Sequence, residues 1–164
     1  MRARRAPSRG LRPLRVIAAA FALVATPLPS LPLAGADAPV ELVVVTSSRN
    51  PASIALSDLA PIFTTTRREL DGKPVTPFNM APKSEERTVF DKAVLSFDPD
   101  DAASFWIDRK IRGGNAPPRQ VPDAGLMLRV VAQLDDAIGY LPASRADATV
   151  RVVARVHNGK LTKP

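Results

Sequence analysis

Val40-Glu41-Leu42-Val43-Val44-Val45, running on into Thr46-Ser47-Ser48-Arg49-Asn50-Pro51, is the stretch on which the fold turns. Its first half is an almost unbroken apolar run rich in β-branched residues, the pattern of a strand covered on both faces. Such a strand implies helices above and below its sheet, and sheets of that kind are mostly parallel. Asn50-Pro51 closes the loop that follows.

Downstream, helical and extended patterns alternate. Ser57 reads as an N-cap with Asp58 in the first turn and Leu59, Ile62 and Phe63 at helical spacing. Asp71-Gly72 marks a turn, and 74–78 (PVTPF) reads as a short strand whose prolines place it at an edge or a strand end. Ser84-Glu85-Glu86-Arg87 opens a helix with an acceptor at its cap and two carboxylates where the dipole favours them. Phe90, Val94 and Phe97 give that helix one apolar face. Asp98-Pro99 starts another, striped by Ala102, Phe105 and Trp106 and ended by Gly113-Gly114. Arg119 to Val121 is a short extended piece. Asp123 caps a helix striped by Leu126, Val130 and Leu134, with Met127 and Val131 beside them. The last strands are 137–141 (AIGYL) and 150–156 (VRVVARV). This order predicts an α/β fold, a three-layer sandwich with a mostly parallel central sheet.

Composition narrows the function. The 164-residue chain has no Cys and one His, His157, which reads as exposed. That excludes a disulfide scaffold, a zinc ribbon, an iron–sulfur site and a Cys nucleophile, and leaves no basis for a catalytic triad. The formal charge of +7 is concentrated in one place. Arg2, Arg4, Arg5, Arg9, Arg12 and Arg15 lie in residues 1–36 with no acidic residue. Taking those six from the 23 basic residues leaves 17 against 16 acidic ones, a balance that lacks the footprint of a nucleic-acid binder. Residues 1–36 carry the three parts of a secretory signal: the arginines, an apolar run from Val16 to Ala25, and Ala34-Gly35-Ala36 as an A-x-A cleavage pattern. Pro27, Pro29 and Pro32 interrupt any helix long enough to span a bilayer. The expectation is cleavage before Asp37 and one domain over 37–164, periplasmic or secreted.

VVVTSSRNP, LSDLAPIF (56–63), DGKPVTPF, the Ser84-led helix ending in Phe90, and AIGYLP (137–142) together resemble the substrate-binding proteins of phosphate ABC transporters. These are type II periplasmic binding proteins, and the likeness is to short, single-lobe members. The resemblance implies one lobe of that fold and a non-enzymatic protein that binds phosphate or a related small oxyanion for an import permease or an envelope sensor. The family's anion segment is a Ser-Gly-Thr turn preceded by an Arg and followed by a Phe. Here Ser84 and Phe90 are kept, Glu85-Glu86 replaces Gly-Thr, and Lys83 stands near the missing Arg.

Lys83, Ser84 and Arg87 are therefore candidates for an anion cradle of amides, a hydroxyl and cations. The same residues also read as a well-capped surface helix with exposed charges. Thr46, Ser47 and Ser48, with Arg49, form a second candidate, because ligands gather at the carboxyl ends of strands in open α/β sheets. An ordinary polar loop is the other reading. Arg112-Gly113-Gly114-Asn115 reads as a helix stop more than an anion nest, and Trp106 and Tyr140 read as core. Asp98, Asp100 and Asp101 lack calcium-loop spacing, so neither metal nor cofactor is expected. The competing function is a ligand-free interaction or sensory module on the same fold.

Overall fold

The computed structural model describes residues 40–64 and 69–164, so the leader read at 1–36 lies outside the described residues. In chain order the elements are β1 (Leu42–Ser47), α1 (Leu56–Phe63), β2 (Glu69–Leu70), β3 (Lys73–Pro74), β4 (Thr76–Met80) and α2 (Glu85–Phe90), which continues into a π-helical turn, Asp91–Leu95. They are followed by α3 (Pro99–Ile111), β5 (Arg119–Val121), α4 (Ala124–Gln133), β6 (Ala137–Pro142), β7 (Val150–His157) and β8 (Lys160–Thr162).

Every residue of β1 is buried, as its apolar run implies. The main sheet has six strands in the order β5-β4-β6-β1-β7-β8, and β2 and β3 form a separate hairpin. Strand direction corrects one part of the sequence reading. β4 pairs in parallel with β5 and β6, while β1 is antiparallel to both β6 and β7, and β8 is antiparallel to β7. The α/β sandwich stands, but its sheet is mixed. An apolar run reports burial on both faces and carries no information about the direction of its neighbours.

The two faces are covered by different helices. Val43 and Val45 of β1 are in register with Leu141 and Gly139 of β6. A Cβ at Gly139 would stand 2.3 Å from Met127 Sδ and 3.2 Å from Val131 Cγ2, so α4 lies directly on this face. That contact corrects the expected stripe of α4. Met127 and Val131 are fully buried, whereas Leu134 is 45% exposed, because the missing side chain at Gly139 draws in the face one step round the helix. On the other face Tyr140 stacks on Phe90 with centroids 3.8 Å apart and planes 4° from parallel. Phe63 meets Phe90 edge-on at 4.6 Å, tying α1 and α2 to the same strand.

Local signals explain most boundaries. Asp123 caps α4, its Oδ1 accepting from Leu126 N at 2.8 Å. Gly114 N donates to Arg109 O at 2.9 Å past Gly113 in the left-handed region, the bond that closes α3. α1 begins two residues earlier than read: Ala55 and not Ser57 is its cap, and Asp58 Oδ2 reaches back to accept from Ala55 N at 3.0 Å. Of the two places expected for the prolines of 74–78, a strand end holds for Pro74, which closes β3, while the edge does not hold for Pro77, since β4 lies inside the sheet. Thr76 and Pro77 pair with β6, and pairing with β5 starts only at Phe78, so Pro77 sits where the strand changes neighbours. The described residues fall in a single compact unit.

Candidate functional site

The carboxyl end of β4 delivers the chain to the start of α2. Lys83 there adopts a left-handed backbone with φ 67°, and Ser84 follows as an extended N-cap. Ser84 Oγ accepts from Arg87 N at 3.2 Å, and the Ser84 carbonyl accepts from Thr88 N at 3.1 Å. The cap uses the Ser84 hydroxyl as an acceptor and leaves its proton free to donate. The amides of Glu85 and Glu86 belong to the first turn, where no carbonyl of the helix is available to them. Lys83 is exposed and has no ion-pair partner among the described residues.

Arg87 is placed differently from the surface cation that the sequence suggested. It is 9% exposed, and its Nε donates to Asp91 Oδ2 at 2.5 Å. Burial holds the Asp91 carboxyl above its ordinary value, opposed by the Arg87 charge and hydrogen bond. Burial also pushes the Tyr140 hydroxyl well above the usual phenol range, and that oxygen accepts from Met80 N at 3.1 Å. Arg87 is thus spent on an internal pair at the base of α2 and is not a free ligand for an anion.

Beside this helix start lies a cleft of about 490 Å³, lined by Pro82, Lys83, Arg87, Thr88, Asp91, Phe97, Ala102, Ala103, Trp106 and Gln120 among others. Lys83 and Thr88 stand on its α2 side and Trp106 on its α3 side. Trp106 is only half-buried, which corrects its reading as core; Tyr140 is fully buried as expected. Asp91 Oδ1 and Trp106 Nε1 are buried with no hydrogen-bond partner among the described residues. Asp91, Trp106 and Gln120 were not singled out as site residues in the sequence. The i, i+4 spacing of Arg87 and Asp91 was the one local signal that pointed to a pair.

The second candidate segment lies elsewhere. Thr46 pairs with Ile138, and Ile138 with Pro77, so the end of β1 is level with the beginning of β4 and β6. Lys83 and Ser84 follow the opposite end of β4. The antiparallel direction of β1 is the physical reason: its carboxyl end lies at the amino ends of β4 and β6, which run parallel to each other. Thr46 and Ser47 are fully buried, with Thr46 Oγ1 donating to Ala137 O at 2.9 Å and Ser47 Oγ accepting from Arg49 N at 3.2 Å. Ser48 is exposed. Arg49 braces the end of α4, with Nε 2.7 Å from Asp135 Oδ1 and Nη2 3.1 Å from the carbonyls of Ala132 and Gln133. Asn50 Nδ2 adds a 2.6 Å bond to Asp135 O. These contacts make 46–50 a structural clamp, and the structure does not bring it to Ser84.

With the mixed sheet, the two helical layers and the β4–α2 junction in place, the fold can be compared with known ones. It is similar to that of phosphate ABC transporter substrate-binding proteins. The chain superposes on such a protein from Clostridium perfringens, crystallised with bound phosphate, with a TM-score of 0.54 and 18% identity, covering 68% of this chain and 43% of that one. An ABC-type phosphate transport receptor from Vibrio cholerae gives 0.53 and 15% over 68% and 44%. PstS from Borrelia burgdorferi gives 0.52 and 16% over 68% and 45%. The matched part spans less than half the length of these proteins, a single-lobe-sized share. No family model matches the chain, and no curated protein matches it. Among the described residues no helix is long and apolar enough to cross a membrane.

Proposed function

We propose that the chain is an exported, non-enzymatic solute-binding protein that holds phosphate or a related small oxyanion for an import or sensing system. The observation that carries the reading is the β4–α2 junction. There Lys83, which lines the cleft and has no ion-pair partner among the described residues, is followed directly by the Ser84 hydroxyl and the first-turn amides of α2. Amides at a helix start and a nearby ammonium are the donors an oxyanion needs. The likeness to a protein crystallised with phosphate supports the choice of anion. Export rests on residues 1–36 and predicts a processed protein beginning at Asp37, read by N-terminal sequencing of the secreted or periplasmic fraction.

The test is Lys83→Gly, examined by calorimetric titration with phosphate, sulfate and a control carboxylate. Glycine suits the left-handed backbone at this position, so the variant keeps or gains stability while losing the charge. The expected result is a tenfold or larger loss of phosphate affinity with an unchanged or higher urea midpoint. Phosphate affinity that survives the substitution, or its absence from the wild-type chain, rejects the reading.

One observation favours the ligand-free interaction module instead. Glu85 and Glu86 occupy the first turn of α2, and Arg87 is neutralised by Asp91. A folded wild-type protein that gives no heat with any of the three anions supports that second reading.

A further inference from the structure

α3 is shallowly embedded in the fold. Of its 13 residues only Ala102 is buried, with Phe105, Trp106 and Arg109 half-buried on the same inward side. The outward side carries apolar surface that no described residue covers. Ile107 is 61% exposed and Ile111 79%, and the third large apolar residue exposed to this degree, Leu134 at 45%, stands on α4. With about 3.6 residues per turn, Asp100, Ala103, Ile107, Lys110 and Ile111 share one strip of the helix roughly 100° wide. All five are exposed. Asp100 and Lys110, towards its two ends, form no ion pair among the described residues. Helix polarity accounts for an acidic first turn and a basic last turn, but not for their place on one strip with two isoleucines.

We propose that this strip docks on the same strip of a second copy of the chain, the two α3 helices lying antiparallel about a two-fold axis level with Phe105. The pattern along the strip is its own complement. With residue 105 at the axis, Asp100 meets Lys110 of the second copy, Ala103 meets Ile107, and Pro99 meets Ile111. The two-fold repeats each contact, so two ion pairs flank an apolar centre in which alanine makes room for isoleucine. A partner of another sequence would have to supply this order of acid, apolar residues and base, whereas a second copy already has it. The 13 residues of α3 make the strip about 20 Å long. That falls short of the roughly 1,600 Å² of a standard interface, so the association is weak and grows with concentration. This docking surface is independent of the oxyanion reading.

The experiment follows the mass of the full chain by sedimentation velocity over a concentration series from micromolar to millimolar. The wild type is expected to pass from one chain to two. Ile107→Glu is expected to weaken dimerisation roughly tenfold or more with an unchanged circular dichroism spectrum, because the residue is exposed in the single chain. Asp100→Lys and Lys110→Asp each set like charges against one another at both ends of the pair. Each alone is expected to weaken it roughly fivefold or more. Mixed in equal amounts, they give one copy with two cations and one with two carboxylates, and the mixture is expected to recover the wild-type mass. A loss of helix stability could not be rescued by mixing. A wild type that stays monomeric throughout overturns the proposal. So does a dimer indifferent to Ile107→Glu, which is joined through another surface, and so does a mixture that recovers nothing.

Discussion

Asp91 and Arg87 form a pair whose two members are only 7% and 11% exposed at the side chain, so each depends on the other for compensation. Removing one leaves a buried charge; removing both leaves only a packing problem. Asp91→Ala is expected to cost about 3–5 kcal/mol, and Arg87→Met combined with Asp91→Leu to be near neutral, both read from urea denaturation. A single-variant cost below about 1 kcal/mol would mean that the pair is solvated after all. The pH dependence follows from the raised carboxyl. Asp91 binds its proton more tightly folded than unfolded, so its contribution to stability grows as pH falls through the folded pKa and declines as pH rises through it. The window opens upward from the ordinary value of 3.8. Asp91→Asn should therefore lose this acid-side gain in a series of urea midpoints taken from neutral pH downward. Gly139 makes the opposite kind of demand. Any side chain there enters Met127, and Gly139→Val is expected to destabilise by about 1–3 kcal/mol through overpacking of the α4–β6 contact.

At the level of elements, what could be read from the sequence divides by range. Ser84 and Asp123 were legible as caps because a cap is a bond to an amide three residues on, complete within the local chain. Each is expected to cost ~1 kcal/mol on replacement by alanine, and equal urea midpoints for Ser84→Ala and wild type would remove Ser84 as a functioning cap. The inward face of α4 was not legible, since it is selected by Gly139 on another element. The edge alternative for Pro77 failed for a related reason: β4 lies inside the sheet, and Pro77 sits where its pairing passes from β6 to β5. β8 was missed although its signal was present. Asn158 and Gly159 both have positive φ between His157 and Lys160, the two-residue hairpin that an Asn-Gly pair specifies. Gly159→Val should strain that turn and speed hydrogen exchange across Lys160–Thr162, leaving β1 and β6 protected.

For the whole molecule, strand direction decides which residues can act together, and direction is invisible in an apolar run. A single site formed by 46–49 and Ser84 would need β1 to run parallel to β4 and β6; because it runs the other way, the two segments sit at opposite ends of the sheet. The half of the candidate site carried by Lys83 and Ser84 was legible because a helix start is local. Its cleft was not, because Trp106 comes to it from α3, a separate element. This separation yields a test on the intact fold. Arg49→Ala removes a solvent-exposed ion pair and two bonds to carbonyls at the end of α4, so it should lower stability by ~1 kcal/mol at most and leave phosphate affinity unchanged. Lys83→Gly should do the reverse, lowering affinity without lowering stability. With no shared partner, the double variant should show both effects undiminished, additive within about 0.5 kcal/mol. If Arg49→Ala instead weakens phosphate binding as much as Lys83→Gly does, both ends of the sheet reach one ligand, and the topological separation of the two segments is not a functional one.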